Sequence, residues 1–539
     1  MALARIRPTG LNVDIPAYDV PPEFWTGMTG MSFDDIQAEQ VSGWRYIYDE
    51  NAAEAAPLFV MNNLHLGVNY WMYGTADKVA VTTSSGVHHD LTPGAFGPSG
   101  TGSEDWNGAE LNGYPVISWG GFPHSWDRST SSNCQYLTGW PSAYLAKIIR
   151  AHRFHLFALN ISGGVEWPSV VMWSDAAAPG ALPDNSAGGG AAGDAWTAGT
   201  GSEAGNLSLG DTSKSITDGL SLGENFIVYK TGSAYQIYPT GDSFIYGQRM
   251  LLRTMGALAT NCVTEWQSNH LVFGDGDIYI TDGQNLTRSI VDKQTRRTIF
   301  NELSNEQYER TFVCGSPNTN EIYFCYAVDG APYPNKALVW DSSSGTTQFK
   351  DAIDIFGANS FRNLAIGGSG TPHIAPGNIS TDSPTGAWSA QTDDWQDRTD
   401  TWDQNASQEN LDGLVGIDHD NSKLIEFNVN DTQPVGQITA RISRESLDFG
   451  DSASVKLLTE IWPKIIGTDS DVIQVRAGSQ MEPYDPITWT EYQPYTIGSS
   501  KKIDTFARGR LISVEFLAQG ARNWRCAGFD LNIEPAGRY

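Results

Sequence analysis

Short apolar runs broken by turn residues fill the first third of the chain. Residues 57–93 read PLFVMNNLHLGVNYWMYGTADKVAVTTSSGVHHDLTP, in which Asn-Asn, Gly-Thr-Ala-Asp and Ser-Ser-Gly separate the apolar segments. Residues 113–121 (GYPVISWGG) and 145–164 (LAKIIRAHRFHLFALNISGG) have the same pattern. Short runs rich in β-branched and aromatic residues, bounded by Gly, Asn, Asp or Ser, are typical of β-hairpins. The pattern therefore predicts antiparallel strands joined by tight turns.

Similar runs recur further along the chain. In each, an apolar strand leads through a Gly, Asp or Ser turn into a strand that contains an aromatic residue. The intervals are roughly 30 to 50 residues, which is compatible with the blades of a β-propeller. The repeats diverge too far for the blades to be counted from the sequence. The runs are NFIVYKTGSAYQIY (225–238), HLVFGDGDIYITDG (270–283), NEIYFCYAVDG (320–330) and KALVWDSSSGTTQF (336–349).

Near the C-terminus the apolar and polar positions alternate. The segments DVIQVRAGSQ (471–480) and RLISVEFLAQ (510–519) show the alternation. Such a period of two is typical of antiparallel strands with one buried face. We expect residues 430–539 to form a separate β-sandwich-like platform domain.

Three other segments do not read as strands. Residues 1–40 contain Pro8, Pro16, Pro21 and Pro22 and are expected to form an extended arm. Residues 176–210 are rich in Ala and Gly, have few bulky apolar residues and read as a long surface loop. Residues 284–310 are polar and predict one short helix.

These patterns together predict an all-β fold. It would have a β-propeller core, an additional β-rich, sandwich-like platform domain and few short helices. The predicted divisions are an arm (1–40), a propeller-like domain (41–360), a Trp/Asp-rich connector with closing strands (361–429) and the platform (430–539).

Composition supports a chain of short strands and narrows the function. The 539 residues include 56 glycines, and only 18% are charged. The 34 Lys and Arg residues against 62 Asp and Glu residues give a net charge of −28. A surface that grips nucleic-acid phosphates needs clustered Lys and Arg, so this balance argues against one. A wall of negative charge instead repels DNA and lets it pass without sticking.

The five cysteines and the N-terminus carry no special signal. No CxxC motif occurs and the count is odd, so neither a disulfide framework nor a zinc site is expected. The N-terminus lacks the apolar core of a secretory signal, and no apolar run reaches the roughly 18 residues of a membrane helix. We therefore expect no membrane span.

The segment 386–404, GAWSAQTDDWQDRTDTWDQ, is the most unusual stretch of the sequence. Its three tryptophans, Trp388, Trp395 and Trp402, recur every seven residues among aspartates. A helical stripe is disfavoured because Asp, Thr and Ser prefer turns and caps. A calcium loop is disfavoured because the alternating oxygen ligands and the central Gly are missing. Short strands with inward tryptophans fit better, and a sugar-binding face stays open.

Candidate catalytic and metal-binding groups are few. A paired-carboxylate glycosidase would use Asp394, Asp397 or Asp400, but it requires a carboxylate separation that a sequence does not give. Asp275, Asp277 and Asp282 suggest a cation loop, although Asp-Gly at each end favours a hairpin. His88/His89 and His152/His155 are expected to point to opposite faces of strands and so not to converge on a metal. No GxSxG motif or phosphate-binding loop occurs. We predict no catalytic, cofactor-binding or metal-binding residue.

Several segments, taken in order, resemble one family. They are WSDAAAPGALP (173–183) with Trp196 and SEAG (202–205), NFIVYKTGSAYQIY, LVFGDGDIYITDG (271–283), SIVDKQTRRTIF (289–300), GRLISVEF (509–516) with Trp524 and Gly528, and the final GRY (537–539). In their order along the chain and in their residue types they resemble the tail nozzle proteins of short-tailed bacteriophages, also called tail tubular protein B or head-completion stabilisation proteins. The resemblance extends over most of residues 40–539.

The resemblance implies a structural virion protein and not an enzyme. It implies a β-propeller with platform domains, assembled as a homohexamer below the portal and its tail adaptor. The ring would line the DNA exit channel, retain the packaged genome until DNA ejection, and dock tail fibres or spikes. Double-stranded DNA would pass without sequence-specific binding. The protein would be assembled in the host bacterial cytoplasm and located in the virion tail, and six copies at −28 each would carry −168 charges.

Two alternatives belong to another class of function. The chain could be a carbohydrate-cleaving propeller, that is, a depolymerase, or a carbohydrate-binding adhesin at a host-binding tip. The only residues to which we assign a role are structural anchors, because a buried tryptophan removes a large apolar area from water. They are Trp173, Trp388, Trp395, Trp402 and Trp524.

Overall fold

A computed structural model describes most of the chain. It covers residues 2–351, 362–368, 412–418, 421–427 and 438–538. Within these ranges it leaves out residues 9, 13–14, 35–36, 42, 48–54, 66–67, 83–86, 95–105, 185–193, 200, 242–244, 285, 317–318, 344, 346 and 521–523. The segment 386–404 with Trp388, Trp395 and Trp402 lies outside the described residues.

Short strands occupy the N-terminal segment. Most pair with strands from the far end of the chain rather than with each other. They are β1 (Ala2–Ile6), β2 (Gly10–Leu11), β3 (Phe24–Trp25), β4 (Gly27–Thr29), β5 (Met31–Asp34), β6 (Gln37–Gln40) and β7 (Trp44–Ile47).

Six four-stranded antiparallel sheets follow, each formed by four consecutive strands. We call them blades 1 to 6. Blade 1 has β8 (Phe59–His65), β9 (Val68–Gly74), β10 (Val79–Thr82) and β11 (His88–Asp90). Blade 2 has β12 (Trp106–Leu111), β13 (Tyr114–Trp119), β14 (His124–Ser125) and β15 (Gln135–Tyr136). Blade 3 has β16 (Leu145–His152), β17 (His155–Ser162), β18 (Glu166–Trp173) and β19 (Gly205–Ser208).

The next three blades repeat this arrangement. Blade 4 has β20 (Ile216–Leu222), β21 (Asn225–Lys230), β22 (Ser233–Pro239) and β23 (Tyr246–Leu252). Blade 5 has β24 (Val263–Trp266), β25 (Asn269–Phe273), β26 (Ile278–Thr281) and β27 (Thr287–Ser289). Helix α1 (Lys293–Glu302) and a 3₁₀ turn (Tyr308–Arg310) lead to blade 6, which has β28 (Phe312–Ser316), β29 (Glu321–Tyr326), β30 (Lys336–Asp341) and β31 (Thr347–Asp351).

Blade 7 closes the circle by joining two distant parts of the chain. It has β32 (Arg362–Gly368), β33 (Asp412–Asp418) and β34 (Lys423–Phe427), and its outer strand is β7. Strand β7 pairs antiparallel with β34, with Trp44 opposite Phe427 and Ile47 opposite Leu424. The first strand of every blade contacts the first strand of the next, and β32 contacts β8 in turn. The described residues therefore form a closed seven-bladed β-propeller.

The cores of the propeller lie between neighbouring blades. One apolar cluster joins blades 7 and 1 through Ile47, Trp71, Val415 and other residues. Separate clusters fill the spaces between blades 1 and 2, 2 and 3, 3 and 4, and 6 and 7, and one larger cluster spans blades 4 to 6. Each blade is thus buried on both faces, which explains its nearly continuous apolar strands.

The C-terminal strands form a two-sheet sandwich with the N-terminal ones. They are β35 (Thr439–Leu447), β36 (Ser454–Gly467), β37 (Val472–Gln480), β38 (Thr488–Trp489), β39 (Gln493–Thr496), β40 (Ile503–Gly509), β41 (Leu511–Gln519) and β42 (Trp524–Arg538). One sheet has the order β40-β36-β42-β6-β5, with β1 also on β42. The other has the order β38-β37-β41-β35-β4, with β39 also on β37. The predicted all-β fold, with a propeller, a sandwich-like platform and few short helices, is confirmed.

The segment expected to be an extended arm is instead part of the sandwich. Strand β1 pairs with β42 along its length, and β4 and β6 add to the two sheets. Gly528 permits this contact, since a Cβ there would lie 2.3 Å from the Ile6 carbonyl oxygen. The prolines that suggested an arm disfavour pairing only locally, while Trp25 is fully buried in the sandwich core. Pairing with distant strands is not visible in local composition.

The Ala/Gly-rich segment 176–210 also contributes more than a surface loop. Its last residues form β19, the outer strand of blade 3, which pairs with β18. Trp196 is 4% exposed and packs edge-on against Trp140, with the ring centroids 4.7 Å apart. One bulky residue among small ones is therefore enough to attach this segment to the core between blades 2 and 3.

An aspartate directly before helix α1 binds the backbone of its first turn. Asp292 precedes it, and the Asp292 carboxylate accepts hydrogen bonds from the Thr295 backbone N–H at 2.7 Å and from the Thr295 hydroxyl at 3.1 Å. A carboxylate at this position satisfies N–H groups that have no partner within the helix. The short helix predicted within 284–310 is confirmed. In the part of the chain that the structure describes, no helix is long and apolar enough to cross a membrane.

Candidate functional site

The first strands of the blades surround the central bore of the propeller and place polar side chains there. Arg150 comes near the end of β16, after the buried Ile148 and Ile149. Asp218 lies in β20, and Asn261 precedes β24 with a positive φ of 63°. Arg150 and Asp218 are buried. We call Arg150, Asp218 and Asn261 the axial cluster.

The Arg150 guanidinium contacts four successive blades. Its Nη2 lies 2.8 Å from the Asp218 carboxylate of blade 4 and donates a 2.9 Å hydrogen bond to Asn261 Oδ1 at the entry to blade 5. Its Nη1 donates to the backbone carbonyls of Gly108 in blade 2, at 3.4 Å, and of Ile149 in its own blade, at 3.1 Å. A planar group with several fixed donors suits such a junction.

The Asp218 carboxylate is held by backbone donors as well as by Arg150. It accepts hydrogen bonds from the Gly219 N–H and the Asn261 N–H, both at 2.8 Å. Burial raises the pKa of Asp218, and the charge of Arg150 together with the two N–H groups opposes that shift. Removing one partner of such a buried pair leaves the other without compensation and carries a large energetic penalty.

Asn261 connects blades that are not neighbours. Its side-chain amide donates a 3.2 Å hydrogen bond to the Trp106 carbonyl at the start of blade 2, and its own carbonyl accepts the Val313 N–H of blade 6 at 2.8 Å. Blades 3 and 4 lie between blades 2 and 5, so this bond has to cross the bore. The propeller axis is therefore closed by protein atoms at the level of the axial cluster.

Amide side chains also join adjacent first strands. Asn107 of blade 2 donates to the Lys147 carbonyl and accepts from the Ile149 N–H, each at 2.8 Å. Asn107 is fully buried. Its amide thus satisfies backbone groups of blade 3 that no strand pairs with on this side. The centre of the propeller is held by specific hydrogen bonds in addition to apolar packing.

The histidines of blade 3 differ from their expected arrangement. His152 and His155 flank a two-residue turn and stand directly opposite each other in the β16–β17 hairpin. Residues paired across strands share a face, so the expectation that they point to opposite faces was wrong. Both rings contact the Tyr246 ring, with centroids 6.1 and 5.5 Å away. The hairpin predicted for residues 145–164 has its turn between them and brings them together.

The surroundings of these histidines favour the neutral form. Burial lowers the pKa of His152 to about 4 and also lowers the pKa of His155. His152 Nδ1 is 2.9 Å from the Ser221 hydroxyl, and His155 Nδ1 donates to the Ser174 carbonyl at 2.9 Å. Among the described residues no three His, Cys, Asp or Glu side chains are grouped to hold a metal ion.

The segment 275–283 is a hairpin strand with its turns. Strand β26 pairs with β25, and Phe273 lies opposite Ile278 across the connecting turn. Asp277 accepts a 2.7 Å hydrogen bond from the Ser289 hydroxyl and forms a 3.2 Å ion pair with Arg296 of α1. The hairpin interpretation is confirmed, and Asp277 ties the hairpin to the helix.

Two of the five tryptophans assigned as anchors lie in described residues. Trp173 is 5% exposed between blades 3 and 4, and its indole N–H donates to the Glu203 carbonyl at 2.7 Å. Trp524 is fully buried in the sandwich core, and its indole N–H has no hydrogen-bond partner among the described residues. The five cysteines are all buried and free.

This difference between the two indoles gives a direct test. Trp173→Phe should lower the free energy of unfolding by about 1 kcal/mol more than Trp524→Phe, because only the first substitution removes a hydrogen bond. The more deeply buried residue is thus expected to be the more tolerant one. Urea denaturation of both variants measures the difference. An equal or larger loss at Trp524 would contradict the argument.

Sequence reasoning missed the axial cluster. Its one visible signal is a charged residue inside an otherwise apolar strand, as in LAKIIRAH (145–152) and ITDGLSL (216–222). Charged residues are rarely buried unless paired, so these positions marked a buried pair. The sequence does not indicate which carboxylate meets which guanidinium.

Comparisons with known proteins add little beyond the architecture. No family profile and no curated protein matches the chain. Among solved structures, the β-propeller domain of Cps50 (Swd1) from Myceliophteria thermophila is 9% identical, with a TM-score of 0.38, over 72% of this chain and 99% of that domain. The extracellular domain of a one-component system from B. thetaiotaomicron is 8% identical, with a TM-score of 0.40, over 90% of this chain and 61% of that domain. The blade count given above depends on the strand pairing of this chain alone.

Proposed function

We propose that this chain is a structural subunit of the tail nozzle of a short-tailed bacteriophage, in which six copies surround the DNA exit channel. The observation that carries the proposal furthest is the closed propeller axis. Arg150 and Asn261 fill the bore with hydrogen-bonded side chains. A duplex cannot pass through a bore closed in this way. In a nozzle built from this chain the channel therefore has to lie between copies.

The distribution of charge supports an acidic wall formed by the propellers. Residues 41–437 hold 20 Lys and Arg against 43 Asp and Glu, whereas residues 438–539 hold 12 against 13. The propeller part of the sequence thus carries −23 of the net charge of −28. In a ring whose propellers face the axis, DNA would meet repulsive charge and slide past. The sandwich also includes residues 1–40, which hold 2 Lys and Arg against 6 Asp and Glu, so its net charge is −5. This weakly charged domain suits contacts with the adaptor or with fibres.

The connection of the two domains supports a subunit that resists opening. The segment that enters the sandwich as β1, β4, β5 and β6 continues into β7, the closing strand of the propeller. Breaking the propeller at blade 7 would therefore pull on the sandwich as well. A protein that retains a packaged genome benefits from this linkage. We propose this mechanical role in place of an enzymatic one.

Imaging of the assembled protein tests the proposal. Purified protein, alone and with a portal–adaptor complex, should give six-fold rings with a central channel in negative-stain averages. The same rings should fail to retard double-stranded DNA in a mobility assay at low salt, where electrostatic binding is strongest. A chain that remains monomeric and does not bind the portal–adaptor complex would contradict the nozzle proposal. Cleavage of capsule or lipopolysaccharide would favour the carbohydrate-active alternative.

A further inference from the structure

Strand β40 is an open edge of the sandwich. It ends the sheet order β40-β36-β42-β6-β5, and no strand of the described residues pairs with its outer side. An open edge presents a row of free N–H and C=O groups that can pair with another strand. Its register with β36 is fixed, with Ala507 opposite Leu458 and Asp504 opposite Glu460.

The side chains of β40 alternate cleanly between two faces. Ile503 and Ala507 are 6% and 4% exposed and point into the core. Asp504, Phe506 and Arg508 lie on the outer face and are exposed. Phe506 is 70% exposed, which is unusual for a large apolar side chain in the middle of a strand. The exposed face of β40 is therefore acidic at Asp504, aromatic at Phe506 and basic at Arg508.

This row is self-complementary, and we propose that two copies of the chain pair antiparallel through β40. A pairing centred on Phe506 puts Asp504 opposite Arg508 of the second copy and Phe506 opposite Phe506. Arg508 of the first copy meets Asp504 of the second by the same symmetry. Two ion pairs and one aromatic pair then form across the strands, and pairs of both kinds stabilise antiparallel sheets.

Neighbouring registers lose both Asp504–Arg508 pairs. Centring the pair on Thr505 would put Lys502 opposite Arg508, and centring it on Ala507 would put Phe506 opposite Arg508. Shifting the pairing by one residue would place the outward-facing side chains of one copy on the same sheet face as the core-facing side chains of the other. The two Asp504–Arg508 pairs and the Phe506 pair therefore form together in only one register.

The groups that the pairing needs are accessible. The Asp504 side chain is 76% exposed and has one ion pair, with Lys502 at 2.9 Å. Arg508 donates a long 3.4 Å hydrogen bond to the Ala536 carbonyl and has no ion pair among the described residues. The pairing thus gives Arg508 a carboxylate partner and covers Phe506. The β40 pairing is a two-fold contact, whereas a ring closes through head-to-tail contacts. A test of this pairing is therefore independent of the nozzle proposal.

Cross-linking tests the predicted register directly. All five native cysteines are buried. The Phe506→Cys variant should therefore form a disulfide-linked dimer under mild oxidation, because residues directly opposite in antiparallel strands have Cβ atoms about 5 Å apart. Ile466→Cys is the matched control, since Ile466 is 61% exposed on the neighbouring strand β36 but outside the pairing. Equal cross-linking of the two variants, or no cross-linking of the Phe506→Cys variant, would overturn the proposal.

Charge exchange in the Phe506→Cys background tests the complementarity. Asp504→Arg gives two basic positions and Arg508→Asp gives two acidic ones, so each variant alone should cross-link about tenfold more slowly. An equimolar mixture should restore the rate, because every basic position then meets an acidic one. Size tags identify the mixed dimer on a non-reducing gel. Recovery in the mixture also shows that both variants are folded, and a failure to recover would exclude this register.

Discussion

Arg150→Met is expected to lower the free energy of unfolding by about 3–5 kcal/mol, the usual cost of leaving one member of a buried ion pair alone. The substitution keeps most of the side-chain length but leaves the Asp218 carboxylate, which is 2% exposed, without its counter-charge. It also removes donors to Asn261 and Gly108, which join four blades. Chemical denaturation followed by tryptophan fluorescence measures the loss.

Two further variants show whether the loss comes from the pair itself. Arg153→Met removes an arginine three residues away whose ion pair with Glu224 is exposed, 40% and 76% for the two side chains. Such a surface pair contributes at most about 1 kcal/mol. The double variant Arg150→Met/Asp218→Asn should lose clearly less than the sum of its two single variants, since it leaves no unpaired charge. Additive losses, or an Arg153→Met loss as large as that of Arg150→Met, would show that the pair is unimportant.

Acidification from pH 7 to pH 5 is expected to lower the free energy of unfolding by on the order of 5 kcal/mol. Burial lowers the pKa of His124, His152 and His270 from 6.5 to about 4. Above pH 6.5 these rings are neutral in both the folded and the unfolded state. Below it the unfolded chain takes up protons first, so stability falls until the pH reaches about 4. Denaturation at several pH values measures the slope.

The histidines and the carboxylates act in different pH ranges. Burial acts to raise the pKa of Asp90, but hydrogen bonds to Thr92 and Lys78 lower it below its ordinary value. The pKa of Asp530 is lowered in the same way, against burial, by Arg7 and Lys464. A carboxylate whose pKa is lowered by folding stabilises the folded state at pH values above its ordinary pKa. That stabilisation is lost only as the pH falls towards the lowered pKa. The decline between pH 6.5 and about 5 therefore belongs to the histidines.

One substitution isolates a single histidine. His270 Nε2 donates to the Ser221 carbonyl at 2.8 Å, and its Nδ1 accepts from the Tyr229 hydroxyl at 3.0 Å. His270→Gln keeps a donor and an acceptor but cannot take up a proton. The slope of stability against pH should then fall by the equivalent of about one proton, or about 1.4 kcal/mol per pH unit. An unchanged slope would show that His270 does not titrate as argued.

Local pattern was sufficient for the strands and for the helix. Period-two alternation at 471–480 and 510–519 predicted strands, and both segments are strands, β37 and β41. β37 alternates between buried and partly exposed positions, whereas β41 is buried on both faces, with Ser513 and Glu515 fully buried. The polar run 284–310 predicted α1. These features depend on residues close in the chain, whose chemistry a sequence displays directly.

Partners that are distant in sequence were not predictable in the same way. Nothing local in WRYI (44–47) distinguishes a closing strand of blade 7 from a strand of blade 1, yet β7 pairs with β34 more than 370 residues later. His152 and His155 were assigned to opposite faces from the period of a single strand, although the hairpin predicted for 145–164 places a turn between them. The pairing within the axial cluster was not predictable either, since Arg150 and Asp218 lie 68 residues apart.

By itself, the sequence determined that this protein is an acidic, all-β chain of blade-sized repeats followed by a sandwich-like domain. The hydrophobic period, the turn residues and the charge are properties of each segment. They favour a given secondary structure independently of the rest of the chain. Only the tertiary structure decided that there are seven blades, that both chain ends build the sandwich, and that Arg150 and Asn261 close the axis. Those outcomes depend on which strand edges and which buried charges pair in the folded protein. Many such pairings are compatible with the same local pattern.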